Sequence, residues 1–257
     1  MQKTLISIIG STGIGKTKLA IEMAKHFGTE IISCDSRQFF KEMKIGTATP
    51  TDEELAQAKH HFIGHLSVQD YYSIGQYEED ALEKIEEIFE KNDFAVLVGG
   101  SMMYEKAVVE GLNDLPEANA ENQEKLQKIL DEEGLEKLQE ILKNLDEEYY
   151  NVVHKENPRR LLRAIDVIWQ TSRKYSEIIA EPKHKRDFKV VRIGITAPRE
   201  IMYERINLRV DKMLENGLID EVKSLTKYQN LVPLQTVGYT EIFKYLEGTW
   251  DLDFAVE

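Results

Sequence analysis

Residues 4–9, TLISII, form a short apolar, β-branched run that ends at Gly10, and a pattern of helical period follows from Lys16 to Phe27. Between them lies Gly10-Ser11-Thr12-Gly13-Ile14-Gly15-Lys16-Thr17, which fits G-x-x-x-x-G-K-[ST] in the strand, loop and helix context that the pattern requires. This stretch constrains the fold more than any other. Glycines let successive backbone N–H groups curl around phosphate oxygens, and the helix N-terminus adds partial positive charge. Lys16 supplies a point charge, and the Thr17 hydroxyl can ligate magnesium. The alternative is a chance glycine-rich turn, and the complete eight-residue pattern in this context argues against it.

Two further runs, Glu30 to Cys34 and Phe94 to Val98, are short, apolar and β-branched, with helical segments such as Ile74 to Glu90 between them. Strand alternating with helix predicts an α/β fold, a P-loop NTPase-like parallel sheet with helices on both faces. After Pro116 the pattern changes. Leu126, Ile129 and Leu130, then Leu135, Leu138, Ile141 and Leu142, recur at helical spacing in a charged background. Residues 117–186 therefore read as a mainly helical insertion in a core made of residues 1–116 and 187–257. The run Lys189 to Ile195 returns the chain to the sheet, and Pro198 opens an amphipathic helix at its first turn.

With 257 residues, 42% of them hydrophobic, the chain can bury a core without staples. Its single cysteine, Cys34, reads as a small buried residue, and no Cys/His cluster has zinc-ligand spacing. No window approaches the ~20 apolar residues of a membrane span, and the start runs straight into the glycine-rich loop, so a cytoplasmic protein, by default a monomer, is expected. A net charge of −13 opposes binding to nucleic acid, but the distribution is uneven. Glu121 to Glu148 holds ten acids and four lysines, whereas Lys155 to Arg192 holds eleven Lys/Arg and five acids. Two solvated helical faces of opposite sign account for this equally well.

A phosphate loop alone does not separate hydrolysis or phosphoryl transfer from other chemistry. The run Phe94 to Val98 ends in Gly99-Gly100-Ser101, which suits close approach to a ligand and does not suit metal ligation. An acid follows the second run instead, in Ser33-Cys34-Asp35-Ser36-Arg37-Gln38. Asp35 can be a general base, a magnesium-organising acid in a small-molecule kinase, or a loop aspartate capping its own turn.

The phosphate loop, Asp35-Ser36-Arg37-Gln38, Lys44 to Pro50 (KIGTATP), His60-His61, Val98 to Tyr104 (VGGSMMY), Arg205 to Val210 (RINLRV) and Gly238-Tyr239 together closely resemble the tRNA dimethylallyltransferases, in order and in spacing. The resemblance runs from Thr4 to about Leu246. It implies transfer of a dimethylallyl group from dimethylallyl diphosphate to N6 of adenosine 37 beside the tRNA anticodon, with release of pyrophosphate and with Mg2+ as cofactor. It also implies that the loop holds a diphosphate and not ATP, and that Asp35 is the base for the adenine amine. Ser36 and Gln38 then help hold the extruded base, Arg37 contacts the tRNA, and Lys16, Ser101 and Arg209 meet the diphosphate. The helical insertion, with Arg160 and Arg163, would grasp the anticodon stem-loop. His60 and His61 read as structural or RNA-loop residues, not metal ligands.

The sequence departs from the family pattern at Lys44 (usually aspartate), Thr49 (usually lysine), Gly64 (usually aspartate) and Met102 (commonly glycine). These changes leave the diphosphate chemistry intact and bear on tRNA affinity or choice. The family's basic C-terminal helix, with its T-R-x-Y-A-K-R-Q-like segment, falls beyond the last residue of this sequence. Three rivals stand beside the transferase: an adenylate isopentenyltransferase acting on a free nucleotide, a small-molecule P-loop kinase, and an RNA-binding paralogue without turnover.

Overall fold

The computed structural model of the chain describes residues 2–257. The order of elements is β1 (Thr4–Gly10), α1 (Lys16–Phe27), β2 (Ile31–Ser33), α2 (Asp52–Leu55), β3 (His60–His61), α3 (Ile74–Lys91), β4 (Phe94–Val98) and α4 (Met102–Glu110). A helical run follows, α5 (Ala120–Glu133), α6 (Leu135–Leu145), α7 (Glu147–Val152), α8 (Pro158–Thr171) and α9 (Tyr175–Ala180). The chain then gives β5 (Lys189–Ile195), α10 (Arg199–Glu215), α11 (Leu218–Ser224), α12 (Tyr239–Leu246) and α13 (Leu252–Val256). Two compact units result, one of residues 1–110 with 186–257, the other Gly111–Lys185.

In the first unit five strands lie in the order β3-β2-β4-β1-β5, all parallel. Period-2 alternation divides their side chains between two cores. Ile6, Ile8, Ile31, Val96 and Val98 pack with Ala20, Ile21 and Ala24 of α1. Leu5, Ile32, Ala95 and Leu97 face a larger core that includes Tyr77, Ile85 and Val108 of α3 and α4. Each fully buried aliphatic side chain of this kind contributes about 1.5–3 kcal/mol. The edge strand β5 differs, with alternate residues exposed. The α/β expectation holds, with a two-residue strand at His60–His61 that periodicity could not reveal.

The neighbouring strands β1 and β4 send their following helices, α1 and α4, to opposite faces of the sheet. That makes the crevice beyond their carboxyl ends the switch point at which open α/β sheets bind ligands. Pro198 is the N-cap of α10 and not its first residue. No residue of that helix is fully buried, but Met213 and Leu214 near its end are partly buried and pack against the larger core.

The second unit is all helical in its regular elements and has its own core of Leu126, Leu138, Leu142, Leu161, Ile165 and Ile168. Asn157 caps α8 through Arg160 N–H, with Pro158 in the first turn, where its missing N–H costs nothing.

Candidate functional site

The glycine-rich loop joins β1 to α1 as the sequence reading expects. Gly13 (φ 75°) and Gly15 (φ 100°) take left-handed conformations that a side chain would strain, and Gly15 leads directly into the helix. Lys16 Nζ donates to the carbonyls of Gly10 at 2.9 Å and Ser11 at 2.8 Å. From α10, Arg205 Nη1 donates to the Ile14 carbonyl at 3.2 Å and braces the loop from outside. Ser11, Thr12 and Gly15 are exposed, whereas Ile14 is buried and anchors the loop.

Asp35 follows β2, beside the end of β4. Its Oδ1 accepts from Arg37 N–H at 3.2 Å, the local turn a loop aspartate favours. The glycine pair after β4 explains how the two strand ends come together. A Cβ at Gly99 would lie 2.5 Å from the Cys34 carbonyl carbon and 2.6 Å from Asp35 N. A Cβ at Gly100 would lie 3.2 Å from Asp35 Oδ2. Without side chains there, Ser101 reaches Ser36: the hydroxyls are 3.0 Å apart, and Ser36 N–H donates to Ser101 Oγ at 3.2 Å.

The charges of this crevice are coupled. Burial holds the Lys16 ammonium below its usual pKa, the Asp35 carboxylate pulls it back up, and Arg209 pushes it down again. Burial likewise lowers the Arg209 guanidinium, opposed by Asp35. One carboxylate thus lies within electrostatic reach of two partly desolvated cations, the arrangement in which an added anion gains most. Cys34 is buried, and burial raises its thiol far above the ordinary value, so it takes no part as a thiolate.

One carbonyl connects the two sides of the site. Thr47 O accepts from Arg209 Nη2 at 3.0 Å and from Gln38 Nε2 at 3.3 Å, and Gln38 Nε2 also reaches Ala48 O at 3.2 Å. The loop carrying Thr47 is itself clamped. Glu221 of α11 accepts from Ile45 N–H at 2.8 Å, from Gly46 N–H at 2.9 Å and from the buried Tyr239 hydroxyl at 2.7 Å. A Cβ at Gly46 would meet the Tyr239 ring at 2.6 Å, which accounts for both the glycine and the Gly238-Tyr239 pair. Sequence reasoning noticed that pair but missed Glu221 and the Thr47 carbonyl, because neither a backbone acceptor nor a glutamate 175 residues away leaves a local signal.

Other sequence candidates are engaged elsewhere. Arg37 Nη1 donates to the carbonyls of Val232 (3.1 Å) and Pro233 (3.0 Å), holding a loop. Arg160 and Arg163 lie on α8 of the other unit. Arg160 is exposed, but Arg163 donates to the fully buried Asp166 at 3.2 Å and to the Pro116 carbonyl. Asp166 also accepts from Asn122 Nδ2 at 3.0 Å and Gln170 Nε2 at 2.9 Å, so it is the polar hub of that unit. His61 Nε2 lies 2.5 Å from Glu30 Oε2, and His60 Nδ1 is 2.8 Å from Ala58 O. Among the described residues no three His, Cys, Asp or Glu side chains gather as metal ligands.

A crevice with a phosphate loop, one acid and a pair of serines is compatible with several transfer reactions, and similarity narrows them. The family model described as IPP transferase matches residues 38–257. The tRNA dimethylallyltransferase of Christiangramia forsetii is 50% identical over 256 residues, covering 100% of this chain and 85% of that protein. The enzyme of the same name from Flavobacterium johnsoniae is 48% identical over 261 residues, covering 99% and 84%. Among solved structures, the tRNA isopentenylpyrophosphate transferase of Bacillus halodurans is 33% identical with a TM-score of 0.70, covering 99% of this chain and 81% of that one. A eukaryotic dimethylallyltransferase acting on tRNA is 26% identical with a TM-score of 0.84, covering 99% and 65%. The family model takes in the helical unit and most of the sheet unit, the relatives span essentially the whole chain, and the chain belongs to the IPP transferase family, the tRNA dimethylallyltransferases.

Proposed function

We propose that this chain transfers a dimethylallyl group from dimethylallyl diphosphate to N6 of adenosine 37 in tRNA and releases pyrophosphate. The observation that carries the reading is the convergence of Asp35, Lys16 and Arg209 at the carboxyl ends of β1, β2 and β4, with Gly-Gly-Ser where a hydrolytic enzyme would carry a metal-binding acid.

In this reading the loop N–H groups and Lys16 hold the diphosphate. The N6 nitrogen attacks the allylic carbon as its bond to the diphosphate oxygen breaks, and the N6 proton passes to the Asp35 carboxylate. Negative charge grows on the departing pyrophosphate, so Lys16 and Arg209 stabilise the transition state more than the ground state. Ser101 stands beside Ser36 to orient the reacting groups, and Gln38 faces the acceptor, held by the carbonyl that also holds Arg209. An unpaired loop adenine costs little to extrude into such a crevice.

Magnesium fits the same loop. The half-buried Thr17 hydroxyl opens α1 beside Lys16, and a hard cation that keeps few protein ligands and takes phosphate oxygens suits this donor set. When bound it adds positive charge to the leaving diphosphate. The helical unit, with exposed Arg160 on α8, is assigned to the anticodon stem-loop. No helix among the described residues is long and apolar enough to cross a membrane. A cytoplasmic monomer suits the reading.

The test is to incubate the protein with magnesium, labelled dimethylallyl diphosphate and either unmodified tRNA or AMP. Label in tRNA supports the reading, label in AMP alone supports the free-nucleotide enzyme, and label in neither with intact donor binding overturns both.

A further inference from the structure

Beside the phosphate loop lies an open cleft of ≈ 990 Å³, of whose lining the chemistry above uses only Arg209 at the border. One wall is a face of α10 with the spacing i, i+3, i+4, i+7, i+8, i+11: Arg205, Leu208, Arg209, Lys212, Met213 and Asn216. The other wall brings Phe40, Lys41, Lys44, Ile45 and Ile63. Gly13 is the one residue of the phosphate loop that reaches it, and Lys16 does not line it.

Five cations therefore surround a cleft in a chain of net charge −13. Among the described residues none of the five is in an ion pair of 4.0 Å or less. Arg205 and Arg209 donate to carbonyls at the border with the phosphate loop, and the three lysines are exposed to the cleft. Two acids reach its rim, Asp52 and Glu54, and the Glu54 carboxylate is engaged by Thr51 N–H at 2.9 Å. Unpaired cations interleaved with the exposed Leu208 and with Met213, Ile45 and Phe40 at the edge of the larger core select an anion with an apolar part.

We propose that this cleft is a second diphosphate-binding site, in which Lys44 and Lys212 receive the anion next to the phosphate loop. It rests on reading the loop as a diphosphate holder. The diphosphate comes either from the prenyl donor on its way in or from pyrophosphate on its way out, and Arg205 and Arg209 stand between the two sites.

The experiment is titration calorimetry on the full chain with magnesium and no tRNA, so that no turnover occurs, using pyrophosphate alone and dimethylallyl diphosphate alone. Two sites per chain are expected. The variant Lys44→Ser with Lys212→Ser loses one of them, Lys16→Ala loses the other, and Lys44→Arg with Lys212→Arg keeps both. Tighter binding of the donor than of pyrophosphate at the lysine-dependent site marks an entry station that uses the apolar wall. Equal or weaker binding marks an exit station for the product.

A single site that Lys16→Ala removes, untouched by the lysine pair, overturns the second site while leaving the loop reading intact. Pyrophosphate binding unchanged by Lys16→Ala would instead refute the loop reading. If the lysine pair raises only the KM for tRNA, at an unchanged stoichiometry of one, the cleft is an RNA contact and the inference is wrong.

Discussion

The carboxyl edge of the sheet and the helical unit of residues 111–185 both carry the charged residues that the sequence singles out, and they use them in opposite ways. At the sheet edge Lys16 and Arg209 lack carboxylate ion-pair partners and are partly desolvated, and each feels the same Asp35. In the helical unit Arg163 is tied to a fully buried aspartate and Arg173 to Glu181, while Arg159 and Arg160 remain exposed. Local charge density thus identifies neither a site nor an interface by itself. A cation available to a ligand is one whose carboxylate partner is missing.

The contrast breaks most sharply at Asp35. Asp35→Ala is expected to lower the transfer rate by about 10²–10⁴ while tRNA affinity stays within twofold. Lost RNA binding with retained turnover would move Asp35 from the chemistry to the grip.

Lys16→Ala is expected to lower kcat/KM for the donor by about 10²–10³. Because burial holds the Lys16 pKa below its ordinary 10.5, kcat/KM for the donor should fall as pH rises through that lowered value, and Lys16→Arg should remove the alkaline limb. A limb that stays in Lys16→Arg belongs to another group.

In the helical unit the expected readout is stability. Arg163→Ala leaves part of the buried Asp166 carboxylate without its partner and should destabilise that unit by about 1–3 kcal/mol in a denaturant titration. Arg160→Ala should leave unfolding unchanged and raise the KM for tRNA a few-fold. Equal effects of the two on unfolding would erase the distinction drawn here.

The smallest expected effect is at the clamp. Tyr239→Phe removes one donor to Glu221 and should cost about 1 kcal/mol, with a several-fold loss in kcat/KM for donor and acceptor together, since Thr47 O anchors both Arg209 and Gln38. A loss confined to one substrate would show that the shared carbonyl does not couple them.

The legible parts of the fold were those with strong local patterns. The eight-residue loop declared its strand and helix, and β4 was visible as a continuous apolar run because both of its faces are covered. The two-residue β3 was not, since His60-His61 has no period to read. The helix after Pro198 is visible in the sequence, but not that one face alternates cations with Leu208 and Met213 and lines a cleft. For the site, motif spacing marked Asp35, Ser36, Gln38 and Ser101. It could not show that Gly99 permits their approach, that Arg37 is engaged with loop carbonyls, or that Glu221 holds the loop between them. Those are long-range contacts through backbone atoms, which no residue pattern encodes.

The central claim is that the phosphate loop serves carbon transfer and not phosphoryl transfer. The most direct test is to supply the protein with magnesium and unmodified tRNA, together with dimethylallyl diphosphate labelled in the allyl group in one tube and ATP labelled in the γ-phosphate in another. The account predicts allyl label at adenosine 37 in amounts equal to the pyrophosphate released, with no transfer or release of the γ-phosphate. Release or transfer of γ-phosphate with no allyl label in RNA would contradict it.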